Sequence, residues 1–352
     1  MKIAQVAPLY ESVPPKYYGG TERVVSYLTE ELVRQGHEVT LFASGDSETA
    51  ARLVAVTPRS LRLDTACVDQ LAHHVVLLEQ VCRRGHEFDV VHYHIDYLHF
   101  PLSRCRPHAH VTTLHGRLDI PDLAPLYDEF TEMPVVSISN NQRRPLREAN
   151  WQATVYHGLP AGLLRFRPER GKYLAFIGRF SPEKRADRAI EIAKRAHMPL
   201  KLAAKVDAVD KKYFEEEIEP LLDDPLIEFV GEIGESEKAE FLGNAYALLF
   251  PIDWPEPFGL VMIEAMACGT PVIAFRQGSV EEVMEEGRSG FVVTTVAEAV
   301  QAVHKVADLD RAECRGVFDR RFTAAQMASD YLRVYDRVIS PYRRRSAHAP
   351  AA

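Results

Sequence analysis

The chain has 352 residues, 46% of them hydrophobic and 26% charged, and its 42 Lys and Arg against 50 Asp and Glu leave a formal charge of −8. That length suits two domains rather than one core, and the acidic balance argues against nucleic acid as the main partner, because a phosphate backbone demands a basic surface. Five cysteines, an odd number with no Cys-x-x-Cys pair, argue against a disulfide framework or a zinc site; with no run near the ~20 apolar residues of a membrane span and no N-terminal signal pattern, the expectation is a cytoplasmic protein, at most peripheral to a membrane.

Short apolar runs alternate with amphipathic stretches, the pattern of parallel α/β sheets. The first half offers strands at Lys2–Ala7, Glu38–Ala43, Asp89–Tyr93, Ala109–Leu114, Pro134–Ile138 and Ala153–Tyr156. After the first strand comes the long aromatic loop Leu9–Tyr18, carrying Tyr10, Tyr17 and Tyr18, a candidate ligand-facing loop. Gly19 and Gly20 follow; paired glycines let a ligand approach the backbone, although the spacing is not that of a dinucleotide fingerprint. A helix from Thr21 to Arg34 comes next, with Thr21 as its N-cap and Gly36 ending it. His92 and His94 share one face of a strand, and with Asp96 they make only three candidate metal ligands, so a role other than metal binding is preferred. His115, followed by Gly116, stands at the carboxyl end of a strand, where α/β sheets place ligands.

The breaker-rich stretch Gly158–Gly171 reads as a linker. Beyond it the pattern repeats, with strands at Tyr173–Gly178, Leu200–Ala204, Ile227–Val230, Ala247–Phe250, Val272–Phe275 and Phe291–Val293. Helices fall near Ala186–Ala196, Asp210–Leu221, Glu235–Asn244, Gly259–Cys268 and Val296–Ala307. Arg179, Lys184, Arg185 and Arg188 crowd the start of the first of these helices. Cations there are unfavourable by some tenths of a kcal/mol each, and a bound diphosphate would reverse the sign. The end of the chain is helical over Thr323–Ile339, with Met327, Tyr331, Tyr335 and Val338 on one stripe. The basic cluster Arg343–Arg345 after it reads as a disordered end, with contact to an anionic membrane as the minor alternative.

The most informative stretch runs from Trp254 to Phe275. It reads as a loop bearing Glu256, a short helix bearing Glu264, then a buried strand. Pro257 suits the first helical position, which would leave the backbone N–H groups of Phe258, Gly259 and Leu260 facing outward as donors for phosphate or sugar oxygens. Glu264 lies roughly 9 Å along the helix from Phe258 at 1.5 Å per residue. The two carboxylates are therefore too far apart to share a proton and suit the two ends of one extended ligand. Glu264 also falls inside an apolar run, where an unpaired charge is costly.

These residues resemble the Glu-x7-Glu signature of the retaining glycosyltransferases of family four. The resemblance implies the GT-B fold: two Rossmann-like, doubly wound α/β domains facing a central cleft, with a C-terminal helix crossing back to the first. It places an acceptor-side domain at residues 1–160, a nucleotide-sugar domain at 171–320 and the returning helix at 321–342. In the family the first Glu and the following amides contact the donor sugar, here Glu256, Pro257, Phe258, Gly259 and Leu260, and the second Glu, here Glu264, binds the ribose. Arg179 and Lys184 match its Gly-Arg-x-x-x-x-Lys phosphate clamp, with Arg185 where a small residue is usual. His115 matches its strand-end His at the donor sugar, the loop at Gly19 and Gly20 its phosphate-facing loop, and the turn at Ile233 its base-binding turn. Gln277–Glu282 resembles its Gly-x-x-Pro-Glu loop, with Glu281 where Pro is usual, and His157 stands where Asn is common.

The implied activity is transfer of a sugar from a nucleoside-diphosphate donor to an acceptor with retention of configuration. It would need no metal and no cofactor beyond the nucleotide sugar, uridine being favoured over guanosine as the base. The acceptor, a small molecule, glycan or lipid-linked group, is not legible in the sequence. The rivals are a GT-B epimerase or hydrolase, a phosphorylase-like enzyme, and a non-catalytic sugar-nucleotide binder.

Overall fold

The computed structural model describes residues 1–16 and 19–347, the last five (343–347) as backbone only. Tyr17 and Tyr18 of the aromatic loop lie outside the described residues. By its internal contacts the chain divides into two units: residues 1–160 together with those from 324 onward, and residues 161–323.

The first unit is built on seven parallel strands in the order β3-β2-β1-β4-β5-β6-β7. These are β1 Lys2–Val6, β2 Glu38–Ser44, β3 Arg52–Thr57, β4 Val90–Tyr93, β5 His110–Thr113, β6 Val135–Ser137 and β7 Trp151–Thr154. The central strands are buried on both faces, as the continuous apolar runs of β1 and β2 require of a sheet covered by helices on each side. Those helices are α1 Gly20–Arg34, α2 Gln70–Arg84, α3 Phe100–Cys105 and α4 Leu123–Glu129, joined by the terminal helix Ala324–Ala347, labelled α12. Helix α12 lies against α1, β4 and β5, with Tyr331 and Tyr335 fully buried.

The second unit has six parallel strands in the order β10-β9-β8-β11-β12-β13: β8 Tyr173–Arg179, β9 Leu200–Lys205, β10 Ile227–Gly231, β11 Ala245–Phe250, β12 Val272–Phe275 and β13 Gly290–Val293. Its helices are α5 Ala186–Ala196, α6 Lys211–Tyr213, α7 Glu235–Gly243, α8 Leu260–Ala267, α9 Val280–Val283, α10 Val296–Lys305 and α11 Arg311–Arg321. Its core is the layer where α5 and α10 meet the sheet, packed from Leu174, Phe180, Ile190, Leu202, Leu249 and Val303.

Both sheets share one topological property. From β1 the chain steps outward through β2 and β3, then returns to the other side of β1 for β4. From β8 it steps outward through β9 and β10, then returns beside β8 for β11. Adjacent connections leave such a reversal in opposite directions, opening a crevice at the carboxyl ends of the two strands where ligands of α/β sheets bind. The two crevices are β1/β4 and β8/β11, and most of the residues singled out in the sequence lie on the loops that leave these strands.

Several local expectations need correction. Thr21 is not an N-cap: α1 already starts at Gly20, and extended Gly19 caps it without a side-chain bond. Pro257 is not the first residue of α8. Gly259 has a φ of 79°, a left-handed conformation that cannot be part of a right-handed helix, so Gly259 caps the helix and α8 starts at Leu260. Strand β3 and helices α2 to α4 and α11 have no counterpart in the reading of the sequence. The helix expected over Asp210–Leu221 breaks into α6, a π turn over Phe214–Ile218 and a 3₁₀ turn over Glu219–Leu221. The second part of the presumed linker packs into the second unit, where Arg167 N–H donates to Cys268 C=O at 3.1 Å. Helix α12 continues to Ala347, past the expected end at Ile339, so residues 340–347 are not a structureless tail.

Candidate functional site

The residues that converge in the second unit come from the loops leaving β8 and β11. After β8 the chain turns at Ser181, where Lys184 N–H donates to Ser181 C=O at 3.0 Å, and α5 follows. After β11 it runs through Asp253, Trp254 and Glu256 to α8. The two loops are fastened together at three places. Asp253 N–H donates to Glu183 C=O at 2.9 Å. The Asp253 carboxylate accepts from Arg185 at 2.9 Å and Arg188 at 3.2 Å. Lys184 Nζ forms an ion pair with Glu256 Oε2.

Glu256 is held from a second side. Trp254 Nε1 donates to Glu256 Oε2 at 3.0 Å, and Lys184 Nζ sits 4.9 Å from the Trp254 ring centroid, a cation–π distance. The side chains of Lys184 and Glu256 are 17% and 12% exposed. Both charges are thus largely withdrawn from water and depend on each other.

The cations at the start of α5 are compensated one by one. Arg179 pairs with Glu183 at 2.9 Å, Asp207 at 3.5 Å and Asp210 at 3.6 Å. Lys205 and Arg179 together hold the Asp207 carboxyl below its usual range. Arg185 stands in the left-handed region with φ 54°, a conformation that costs an L-residue about 1 kcal/mol or more. Its guanidinium is gripped by Asp187 at 2.8 Å and by Asp253. These two ion pairs account for how the loop accommodates an arginine where a small residue is usual.

The Glu256 loop rests on the turn after β12. Ser279 N–H donates to Glu256 C=O at 3.0 Å, and the buried Ser279 Oγ donates to Phe258 C=O at 2.8 Å. Gly278, at φ 56°, approaches so closely that a Cβ there would lie 2.3 Å from Glu256 O and 2.4 Å from Glu256 N. Only glycine fits that contact, so this turn fixes the height of the Glu256 backbone.

Glu264 stands elsewhere in the unit's polar framework. It projects from α8, is 3% exposed, and accepts from Lys238 Nζ of α7 at 2.7 Å. Lys238 also approaches Glu235 at 3.8 Å. Gly234, which caps α7, is bonded through its N–H to Glu237 at 2.8 Å, and half-buried Ile233 lies just before it. The costly unpaired carboxylate that the apolar run implied is therefore paired. At the end of α8, burial pushes the Cys268 thiol up to about 12, leaving it protonated and unreactive.

In the first unit, buried Gly19 and exposed Gly20 begin α1, while His115 follows β5. His115 bonds through Nε2 to His94 Nδ1 at 2.9 Å and stacks on His157, ring centroids 5.3 Å apart. His92 is bonded to Thr113 and Tyr335. Burial pushes His115 down to about 3 and holds His92, His94 and His157 well below the usual imidazole range. The cluster is neutral. Asp96 makes none of this network's hydrogen bonds and sits at a left-handed turn with φ 51°. Among the described residues no group of three His, Cys, Asp or Glu side chains is arranged to hold a metal ion, and no helix is long and apolar enough to cross a membrane.

Of the residues singled out, Arg179, Lys184, Glu256, Pro257, Phe258, Gly259 and Leu260 gather on the loops at the β8/β11 reversal, and Ile233 and Glu264 stand on or beside α7 and α8 of the same unit. Gly19, Gly20 and His115 belong to the other unit. The sequence reading singled out the loop that holds Gly278 but gave Trp254, Lys238 and Gly278 themselves no role. Trp254 lies inside the motif itself, and Gly278 shows itself as a glycine just past the end of a strand. Lys238 carries no signal, because only the packing of α7 on α8 brings it to Glu264.

Comparison with known proteins places both units. The family profile of the glycosyltransferase family 4 matches residues 18–190, and that of glycosyl transferases group 1 matches residues 165–314. The chain is 30% identical over 187 residues to the alpha-maltose-1-phosphate synthase of Mycolicibacterium smegmatis, covering 47% of this chain and 48% of that protein. It is 30% identical over 203 residues to the D-inositol 3-phosphate glycosyltransferase of the same species, covering 53% and 44%. The chain thus spans about half the length of these curated relatives. Among solved structures, a glycosyltransferase involved in avilamycin A biosynthesis superposes with a TM-score of 0.74 at 25% identity over 97% of this chain and 98% of that one. The Anabaena protein HepE, solved with UDP and glucose, gives 0.72 at 17% identity over 96% and 100%, a likeness of fold.

Proposed function

We propose that this chain, which belongs with the glycosyltransferases of GT-B fold, transfers a hexose from a nucleoside-diphosphate sugar to an acceptor with retention of anomeric configuration. The observation that carries the reading is the pairing of Lys184 with Glu256 on two loops fastened together at the β8/β11 reversal. A sugar diphosphate presents both a dianionic bridge and a ring of hydroxyls, and this pair offers a cation for the first and a carboxylate for the second. When the donor enters, Lys184 and Arg179 exchange their carboxylate partners for phosphate oxygens. Their charge then stabilises the diphosphate as it departs, an electrostatic role aimed at the charge that develops in the transition state. The first-turn amides of α8 supply further donors at the positive end of the helix. Glu256 accepts from the sugar, Glu264 accepts from the ribose, and the backbone at Ile233 meets the base. In the first unit, the resemblance assigns His115 to a sugar and the Gly19–Gly20 turn to phosphates. HepE has been solved with UDP-glucose, which supports uridine as the base. The chain supplies positive charge at the leaving group from Arg179 and Lys184 themselves, so turnover is expected to survive EDTA.

A thermal-shift panel of UDP-, GDP- and ADP-sugars tests the donor, since a ligand at about 100 times its Kd adds ~2.7 kcal/mol to stability. The best donor is then incubated with and without acceptors drawn from inositol phosphates, sugar phosphates and lipid-linked sugars, and the anomeric coupling of the product is read by proton NMR. A glycoside of the donor's own anomeric configuration is the expected product. Failure of every nucleotide sugar to raise the unfolding midpoint refutes the reading. Free sugar released at one rate with or without acceptor makes the protein a hydrolase, and binding without turnover makes it a binder.

A further inference from the structure

A chain of buried hydrogen bonds runs from helix α12 to His115, and its polarity is fixed by one residue. Gln5 of β1 donates from Nε2 to the Tyr335 hydroxyl at 3.0 Å, so its Oε1 faces the other way, toward His94 Nε2 at 2.8 Å. An amide oxygen only accepts. His94 therefore carries its proton on Nε2, and its Nδ1 is a lone pair. That Nδ1 lies 2.9 Å from His115 Nε2, so His115 in turn carries its proton on Nε2. The remaining ring atom, His115 Nδ1, is an acceptor; it is buried and has no hydrogen-bond partner. A buried acceptor left open is costly, and every other link in this chain is satisfied.

A side branch reinforces the direction. The Tyr335 hydroxyl, occupied as an acceptor by Gln5, donates to His92 Nδ1 at 2.8 Å. His92 then donates from Nε2 to Thr113 at 2.7 Å, and Thr113 meets the Tyr331 hydroxyl at 2.8 Å. Gln5, Tyr331 and Tyr335 are each 0% exposed, so no bulk water competes for these bonds. The depressed basicity of these three histidines keeps the chain neutral, and a neutral imidazole has one donor and one acceptor whose positions its partners decide.

We propose that Tyr335, Gln5 and His94 form a positioning relay that fixes His115 as its Nε2–H tautomer and leaves Nδ1 open to accept from a hydroxyl of a bound sugar. The identity of the ligand rests on the donor reading above; the relay itself does not. The consequence is that seating of α12, whose tyrosine closes the far end, sets which hydrogen-bonding character the His115 edge presents. A hydroxyl donor is recognised there, and a carbonyl or ether oxygen at the same position is refused.

Long-range ¹⁵N–¹H correlation spectra of histidine-labelled full-length protein near neutral pH test it, with assignment by single His→Gln substitutions. Wild type is expected to show His115 and His94 protonated at Nε2 alone. Tyr335→Phe removes the hydroxyl that orients the Gln5 amide, and Gln5→Leu removes the acceptor of His94; in both, the His115 ring nitrogens are expected to shift toward a mixture of the two tautomers. Gln5→Glu keeps an oxygen facing His94 and is expected to restore the wild-type pattern, which a role in packing alone would not predict. His115 protonated at Nδ1 in wild type, or a tautomer unmoved in a folded Tyr335→Phe protein, overturns the relay. Should the tautomers behave as stated while no nucleotide sugar of the panel shifts the His115 resonances, the relay stands and the donor reading falls alone.

Discussion

Acidification separates the two units, because their histidines are unevenly shared. His92, His94, His99, His110 and His157 of the first unit are 0%, 3%, 1%, 5% and 4% exposed. Burial pushes His110 down to about 4 and holds the other four well below 6.5. The second unit has only His197 and His304. An imidazole whose folded pKa is depressed contributes stability at high pH that disappears as pH falls, since the unfolded chain takes up the proton first. With an unfolded value of 6.5 and a folded value of about 4, His110 alone costs about 2 kcal/mol at pH 5. The other four act in the same direction, against a typical total of ~5–15 kcal/mol. Glu22 and Asp96, whose carboxyls burial pushes upward, take up protons early in the folded state and oppose the trend, but two acids do not offset five imidazoles. The first unit is therefore expected to unfold at a higher pH than the second as acid is added. The assay is intrinsic fluorescence, because the two tryptophans divide between the units: Trp254→Phe leaves Trp151 of β7 as the reporter of the first unit, and Trp151→Phe leaves Trp254 as the reporter of the second. Both signals moving together, or that of Trp254 moving at the higher pH, refutes the reasoning.

Three substitutions probe the second unit. Lys184→Ala is expected to lower turnover about 10²- to 10³-fold, the loss of one leaving-group stabiliser, while the protein stays folded by circular dichroism; full activity in a folded variant removes the clamp assignment. Gly278→Ala forces a Cβ into the Glu256 backbone at a left-handed φ, for an expected loss of about 1–3 kcal/mol in urea unfolding and a fall in kcat; a variant as stable and active as wild type shows that the turn does not set the Glu256 position. Lys238→Met leaves Glu264 buried without its partner and is expected to destabilise by up to ~3 kcal/mol. Lys238→Met with Glu264→Gln together should recover most of that loss, as a double-mutant cycle by thermal denaturation will show, while a fully additive pair denies the coupling.

What the sequence revealed depended on how locally each feature is encoded. The strands of both sheets stood out because a strand covered by helices on both faces is a continuous apolar run, and β1, β8 and β12 are such runs. β3 was not read although Leu53–Val56 are all apolar; it lies at the sheet edge and is half exposed, and no helix pattern follows it closely enough to mark a strand–helix unit. The start of α8 was misplaced because Pro257 is a good first helical residue, whereas the left-handed turn at Gly259 belongs to the packing of Phe258 into the core, where it is 2% exposed. Lys184 and Glu256 were each legible in a motif. Their ion pair was not, because 72 positions separate them and only the adjacency of β8 and β11 brings them together.

The same distance explains why reading charge from one segment gave an incomplete picture of the clamp. Taken alone, Arg179, Lys184, Arg185 and Arg188 are a cationic crowd at the unfavourable end of a helix dipole, a strain that an anion would relieve. In the folded unit each has an acid beside it, and only Glu183 and Asp187 come from the same segment; Asp207, Asp210, Asp253 and Glu256 arrive from the ends of β9 and β11. The cations of these loops are therefore already paired, and on the proposed reading a diphosphate would compete with carboxylates for them rather than enter a positive hole. Affinity on that account depends on how cheaply each acid can be released to water or to another donor. On the proposed reading Glu256 would keep the Trp254 indole N–H and gain a sugar hydroxyl as Lys184 turned to phosphate, so it is the acid best placed to let its cation go, and a diphosphate that carries a sugar is the ligand that would suit the pair best.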